Sequence, residues 1–326
     1  MTTITERDRL SASTKFFYLF GDIGISLCLS TVAFFILFFY ADVARIDPAL
    51  VGTVLLLGKI WDAVNDPLFG WLSDRTKSRF GRRKFYLYLG AVPFGLSFAL
   101  LWLIPEQLSG PLLTGWITFT FLLYFTFVTV VSVSYYSMTP ELTRDYDERT
   151  SLTTVRMIGG TLGYMIGAAL PPLVAGLFIT EQIGWQMMGV MFAAFAVLCL
   201  YLTSFGVKQR KELEGAPSKL PALKSVLTCF KNKPFNYLLI QGGITGMSFM
   251  LVMSYMPFFL TYQLDMKEQI PLVMTLLLVT IGAFLYFWKW LTDRWAKGPT
   301  YALGLLIAFG ATASTVFLPL GGSNLI

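Results

Sequence analysis

Two carboxylates lie within Gly58–Trp71, a stretch that is otherwise apolar enough to cross a membrane. Asp62 and Asp66 are four residues apart, so on an α-helix they share one face at about 6 Å along the axis. Two negative charges at low dielectric constant are strongly disfavoured unless a positive charge joins them. Pro67 lacks an N–H and leaves a backbone carbonyl beside the acids without its helical partner. These oxygens predict a site for a hard cation.

Basic side chains offer another way to neutralise these acids. Lys59 lies one turn before Asp62, so the two residues alternatively form a structural ion pair at a helix interface. We favour the cation site, because ionisable groups within membrane spans usually mark an ion or substrate pathway. Asp22, in the first apolar run, is either a neighbour of Asp66 or a packing partner of Lys59 or Arg156. For Asp22 we favour the packing role.

Composition limits the class of protein. Hydrophobic residues make up 55% of the 326 positions and charged residues only 13%, which indicates an integral membrane protein. The chain has no histidine and three cysteines, and we find no metal-ligand cluster, phosphate-binding loop or nucleophile–base pair in it. We therefore predict neither an enzyme nor a bound cofactor. The net charge of +6 comes from short loops between apolar runs, which indicates topology control and no nucleic-acid partner.

Apolar runs of about 20 residues predict an all-α integral membrane protein with about nine transmembrane helices. The runs lie near 16–40, 50–73, 85–104, 112–138, 152–178, 184–206, 235–262, 269–291 and 300–320. Residues 207–234 are polar and basic, with two prolines, and divide the chain. The predicted domains are a six-helix bundle over 1–206, a cytoplasmic linker over 207–234 and three helices of a second bundle over 235–326.

The basic residues also predict the orientation. They concentrate in the N-terminus and in the loops after even-numbered spans, while the opposite loops hold only Arg45 and Lys267. Basic residues near span ends stay on the cytoplasmic side. We therefore expect a multi-pass protein of the plasma or inner membrane with a cytoplasmic N-terminus.

A short internal repeat supports two bundles. The sequence WLSDR at 71–75 ends the second span, and WLTDR at 290–294 ends the eighth. Parallel repeats of six spans build one large transporter fold. On this count the second bundle holds only its first three helices. We expect a monomer, or missing helices supplied by a longer or separate chain; the alternative is a transport-incompetent fragment or membrane interaction protein.

Three motifs carry a resemblance to a known family. Residues 70–75 and 81–83 (GWLSDR and GRR) resemble the signature loop of the major facilitator superfamily. Together with 59–67 (KIWDAVNDP) and 139–150 (TPELTRDYDERT), they are similar to the glycoside-pentoside-hexuronide:cation symporters, the melibiose-permease-like family. The resemblance implies a major facilitator-type helical bundle. It also implies symport of a small organic solute, a sugar or glycoside, with Na⁺, Li⁺ or H⁺ by alternating access. The family's similarity to vertebrate lysolipid symporters leaves a lysolipid as the alternative substrate.

The resemblance also implies roles for particular residues. Asp62, Asp66 and Thr129 match the cation ligands, although a lone Thr in a span more often bonds its own helix backbone. The substrate positions are Ser26 and Ser132, which stand where sugar-binding members carry carboxylates, together with Tyr136 and Arg156.

Charged residues at the cytoplasmic ends match a latch that closes this face in one state of the transport cycle. The candidates are Asp74, Arg75, Arg82, Arg83, Asp293 and Arg294. The alternative is that these charges serve only to fix topology. We favour the latch for Asp74 and Arg75, because this pair recurs at Asp293 and Arg294.

Overall fold

The computed structural model describes residues 10–76, 78, 81–105, 107–143, 145–207, 228–266 and 297–314, and separate positions between 269 and 295. Helices and short connections make up these residues, and no strand occurs among them. The predicted all-α fold is confirmed. Asp293 and most of the 207–234 connector lie outside the described residues.

Six helices, each overlapping one predicted span, make up the first part of the chain. They are α1 (Ala12–Phe38), α2 (Pro48–Arg75), α3 (Arg82–Trp102), α4 (Gly110–Leu142), α5 (Tyr146–Ala175) and α6 (Glu181–Gly206). After the connector come α7 (Lys233–Phe258) and a final described helix, Lys297–Ser314.

Among the described residues, six helices are long and apolar enough to cross a membrane: α1, α3, α4, α5, α6 and α7. Three charged residues, Lys59, Asp62 and Asp66, interrupt the apolar part of α2, which has 28 residues. The predicted count of nine spans stays a prediction, since many positions of 267–296 lie outside the described part.

Contacts divide the chain into two compact units, Met1–Ser254 and Tyr255–Ile326. In the first unit α1 packs against α5 and α6, α3 packs against α4 and α6, and α2 packs against α4. Helix starts follow capping chemistry: the side chain of Ser11 accepts from the Thr14 N–H, and that of Asp145 from the Glu148 N–H. The predicted domain boundaries at 206 and 234 stay a prediction.

Small residues bring α5 into close contact with α1. Three glycines repeat every four residues of α5 and lie against the α1 backbone: Gly159, Gly163 and Gly167. A Cβ at position 163 would lie 2.3 Å from the Ile23 carbonyl oxygen, far inside van der Waals contact. Backbones can approach this closely only where one of them lacks side chains. The α1–α5 packing therefore depends on these glycines.

Helices α1 and α7 end with the same backbone geometry. A π-helical turn follows each, Phe39–Val43 and Phe259–Gln263. Two residues after each turn the chain adopts a left-handed conformation, at Arg45 (φ 55°) and Asp265 (φ 52°). Positive φ is uncommon outside glycine, so its occurrence at equivalent positions of α1 and α7 is evidence that the two helices correspond. The internal repeat therefore includes the ends of α1 and α7, where the two sequences show no obvious similarity.

We expect Gly163→Val to destabilise the first unit by about 2 kcal/mol, because the added carbons overlap the α1 backbone. The melting temperature of the purified chain in detergent measures the effect. Gly115→Val on α4 is the matched control, since nothing lies within 4 Å of a Cβ there. Equal melting temperatures for the two variants would contradict this packing.

Candidate functional site

The two acids of α2 meet a hydroxyl of α4. Thr129 is fully buried, and its Oγ1 lies 2.7 Å from Asp66 Oδ1 and 3.3 Å from Asp62 Oδ1. A hydroxyl carries one hydrogen and so donates to one carboxylate at a time. The three predicted cation ligands therefore lie together, with their oxygens converging between α2 and α4. Pro67 lies inside α2 and, lacking an N–H, gives the Ala63 carbonyl no helical donor.

Lys59 lies beside these acids. Its Nζ is 3.4 Å from Asp62 Oδ2, the oxygen on the other side of the carboxylate from the Thr129 contact. Both side chains are partly exposed, so the pair adds little to stability. The ion pair anticipated as the alternative to a cation site is present, and it engages only one of the two acids.

A second polar cluster forms around Asp22, which is only 6% exposed. Tyr136 donates its hydroxyl to Asp22 Oδ1 at 3.2 Å, and Ser26 donates to the same oxygen at 3.4 Å. Arg156 Nε lies 4.0 Å from Asp22 Oδ2, and its guanidinium covers the Tyr136 ring at 5.0 Å from the centroid. Three of the four predicted substrate residues therefore surround one carboxylate. Ser132, the fourth, is half-buried on α4 one turn before Tyr136.

The sequence alone did not indicate that Asp22 contacts the predicted substrate residues. We expected this residue to be a packing partner, and the pairing with Arg156 is indeed present. The overlooked signal was local: Asp22 precedes Ser26 by four residues, so both lie on one face of α1. The carboxylate expected at Ser26 by analogy thus has a counterpart one turn earlier.

A buried charge network joins the ends of α2, α3 and α4. Glu141, 4% exposed, accepts from Arg82 Nη2 at 2.6 Å and from Arg82 Nε at 2.8 Å. Arg83 Nε lies 3.5 Å from the same carboxylate oxygen, and Arg83 also pairs with Asp74. Two latch arginines and one latch acid therefore share a single network. The sequence pattern did not single out Glu141, although this residue stands within the 139–150 motif.

The remaining described latch residues stack on tryptophan. The Arg75 guanidinium lies 3.8 Å from the centroid of the Trp71 ring, and Arg294 lies 4.4 Å from that of Trp290. Each arginine follows its tryptophan by four residues in the repeated motif, so both copies of the repeat make the same cation–π contact. The gating role stays a prediction for all six latch candidates, those of the charge network included.

Comparison with known proteins gives a consistent group. A family model described as MFS/sugar transport protein matches residues 17–326. The chain is 36% identical to an uncharacterized symporter of Synechocystis sp. over 67% of its own length and 41% of the relative. It is 26% identical to the isoprimeverose transporter of Lactiplantibacillus pentosus over 94% of its length and 64% of the relative. It is 25% identical to the sodium-dependent lysophosphatidylcholine symporter 1 of Gallus gallus over 98% of its length and 66% of the relative. The chain thus spans 41 to 66% of the length of these relatives.

We expect Glu141→Gln to destabilise the chain by about 3 kcal/mol, because it leaves two buried guanidinium groups without their shared carboxylate. A lower melting temperature in detergent would show this. Asp147→Asn, at an exposed position of α5, also removes one carboxylate charge and should change the melting temperature little. If the network served only to fix topology, the two variants would have equal melting temperatures.

Proposed function

The chain belongs to the MFS/sugar transport protein family, as its motifs predicted, and on this basis we propose that it is a cation-coupled symporter of a sugar or glycoside. It is a multi-pass membrane protein. We further propose that its N-terminus faces the cytoplasm and that it resides in the plasma or inner membrane, since basic residues cluster in alternate loops.

The observation that carries this proposal is the meeting of Thr129 with Asp62 and Asp66. Carboxylate and hydroxyl oxygens are the ligands that hard cations prefer. One Na⁺, Li⁺ or H⁺ held between the acids reduces their mutual repulsion, which is large in a membrane-spanning helix. The geometry of these three side chains supports a coupling-cation site.

The Asp22 cluster supports a neutral, hydroxyl-bearing substrate. Asp22 offers hydrogen-bond acceptors and Arg156 offers hydrogen-bond donors. A sugar hydroxyl both donates and accepts hydrogen bonds, so it can use both side chains. The Tyr136 ring adds a flat apolar surface for the face of a pyranose or furanose ring. Because Asp22 and Arg156 carry opposite charges, the cluster has no formal net charge and favours a solute without one.

Helix α4 supplies a physical link between the two sites. Thr129 and Tyr136 are seven residues apart, about 10.5 Å along the axis and on nearly the same face. A change at the cation site that shifts or rotates α4 therefore reaches the substrate cluster. In our proposal the cation and substrate each favour the arrangement that binds the other, and bundle rocking then exposes both to the opposite side.

A lysolipid is the second candidate substrate. The lysophosphatidylcholine symporter of Gallus gallus matches 98% of this chain. Serines also occupy positions 26 and 132, where sugar-binding members carry acids. Binding experiments with both classes of compound decide between them.

We expect NaCl to raise the melting temperature of the purified chain relative to KCl at constant ionic strength, because a ligand of the folded state stabilises it. The stabilisation should approach about 2.7 kcal/mol at a hundredfold excess over the dissociation constant. Asp62→Asn and Asp66→Asn should each abolish it, and LiCl and pH series test the other two cations. Asp22→Asn is the control that should retain the response. A wild-type sodium response in both α2 variants would refute the site assignment.

We expect Asp22→Asn to weaken glycoside binding by at least about tenfold, since hydrogen bonds to a charged acceptor contribute about 1.5–3 kcal/mol. Titration calorimetry at saturating sodium, with a panel of glycosides and with lysophosphatidylcholine, measures this. Ser137→Ala, on the same turn of α4 as Tyr136, serves as the control. Saturable binding of lysophosphatidylcholine alone would instead favour the second candidate.

A further inference from the structure

The position of Lys59 bears on which cations the α2 site accepts. Its Nζ contacts Asp62 Oδ2 at 3.4 Å, while Thr129 contacts Asp62 Oδ1 and Asp66 Oδ1. The ammonium therefore lies at the edge of the carboxylate pair and leaves the space between the acids to Thr129 and a ligand. Lys59 is part of the charge of the site without filling it.

The surroundings of Lys59 hold its ammonium group in place. The Phe125 ring of α4 lies beneath it, with Nζ 4.6 Å from the ring centroid. That ring reaches α2 because position 58 is glycine: a Cβ there would lie 2.5 Å from Phe125 Cε2. A lysine in a membrane span would otherwise extend its charge towards the headgroups. The glycine, the ring and Asp62 together keep the charge at the site.

The formal charges of the α2 side chains determine which cations balance the site. Asp62 and Asp66 contribute −2 and Lys59 contributes +1, which leaves −1. One monovalent cation brings this total to zero, whereas a divalent cation leaves an uncompensated positive charge within a membrane-spanning helix. Without Lys59 the same oxygens would carry −2, a charge that one Ca²⁺ or Mg²⁺ ion would balance, and both ions prefer oxygen ligands.

We propose that Lys59 sets the charge of the α2 site to −1 and so restricts it to a single monovalent cation. The inference rests on the proposed coupling-cation site and adds its selectivity. Lys59 acts as a positioning and selectivity residue, because its charge balances that of Asp62 while the acids and Thr129 contact the ion.

The first experiment measures melting temperatures of the full chain in detergent, titrated with CaCl₂, MgCl₂, NaCl or LiCl against KCl at constant ionic strength. Lys59→Met should gain a saturable rise of the melting temperature with Ca²⁺ or Mg²⁺ that the wild type lacks. Lys59→Arg keeps the charge and should behave as the wild type. Lys59→Gln is a second neutral variant, and the melting temperature in KCl verifies that each variant is folded.

A charge-balance experiment separates this role from packing. Asp62→Asn leaves Asp66 and Lys59 with a total of zero and should lose the sodium response. Adding Lys59→Met restores −1 and should restore a monovalent response, although both ionisable partners are then gone from the original pair. If Lys59 only supported the fold, the double variant would have a lower melting temperature than Asp62→Asn and would regain no sodium response.

The outcomes distinguish the two proposals. If the wild type responds to sodium but Lys59→Met gains no divalent response and the double variant stays silent, the selectivity role is wrong and the cation site stands. If neither the wild type nor any Lys59 variant responds to any of the four salts, both this inference and a metal-ion coupling site at α2 are overturned.

Discussion

Two carboxylates one turn apart in the apolar part of α2 impose a constraint that the surrounding helices must meet. Each charge is costly away from water, and each raises the cost of the other. In the described structure the buried Thr129 hydroxyl contacts both acids, and the Lys59 ammonium contacts the other oxygen of Asp62. The packing of α2 against α4 is thus inseparable from the chemistry of the acids, because α4 supplies both Thr129 and the ring beneath Lys59.

Helix α4 connects the acids of α2 to the rest of the first unit. Along its 33 residues it contacts the α2 acids through Thr129, the Asp22 cluster through Tyr136, and the arginines of α3 through Glu141. Immediately before Tyr136, the Tyr135 ring stacks on Tyr18 of α1, with the ring centroids 4.6 Å apart. One helix therefore links the proposed cation site, the Asp22 cluster and the charge network at the helix ends. A displacement of α4 would change all three, which is the mechanical property a coupled transporter requires.

The sequence predicted the features that depend on local patterns. Apolar run length located each of the first six helices, and the four-residue spacing of Asp62 and Asp66 placed them on one face. The resemblance to known symporters then identified Thr129 as a third predicted ligand of the same site. The Asp22 cluster could not be predicted in the same way, because its members come from α1, α4 and α5 and depend on how those helices pack. Glu141 meets Arg82 across 59 residues of sequence, and no spacing rule connects them.

The internal repeat separates what the fold requires from what the proposed function requires. The two halves share the WLSDR and WLTDR motifs, the arginine–tryptophan stack and the π-helical turn with its left-handed residue. With Trp71 aligned to Trp290, the positions equivalent to Lys59, Asp62 and Asp66 are leucine, isoleucine and leucine: Leu278, Ile281 and Leu285. The second copy of this end motif is therefore preceded by apolar residues at all three places in the sequence. The end motif therefore does not require the lysine or the acids, and the cost of these charges in a membrane span is best explained by the ion that we propose the acids bind.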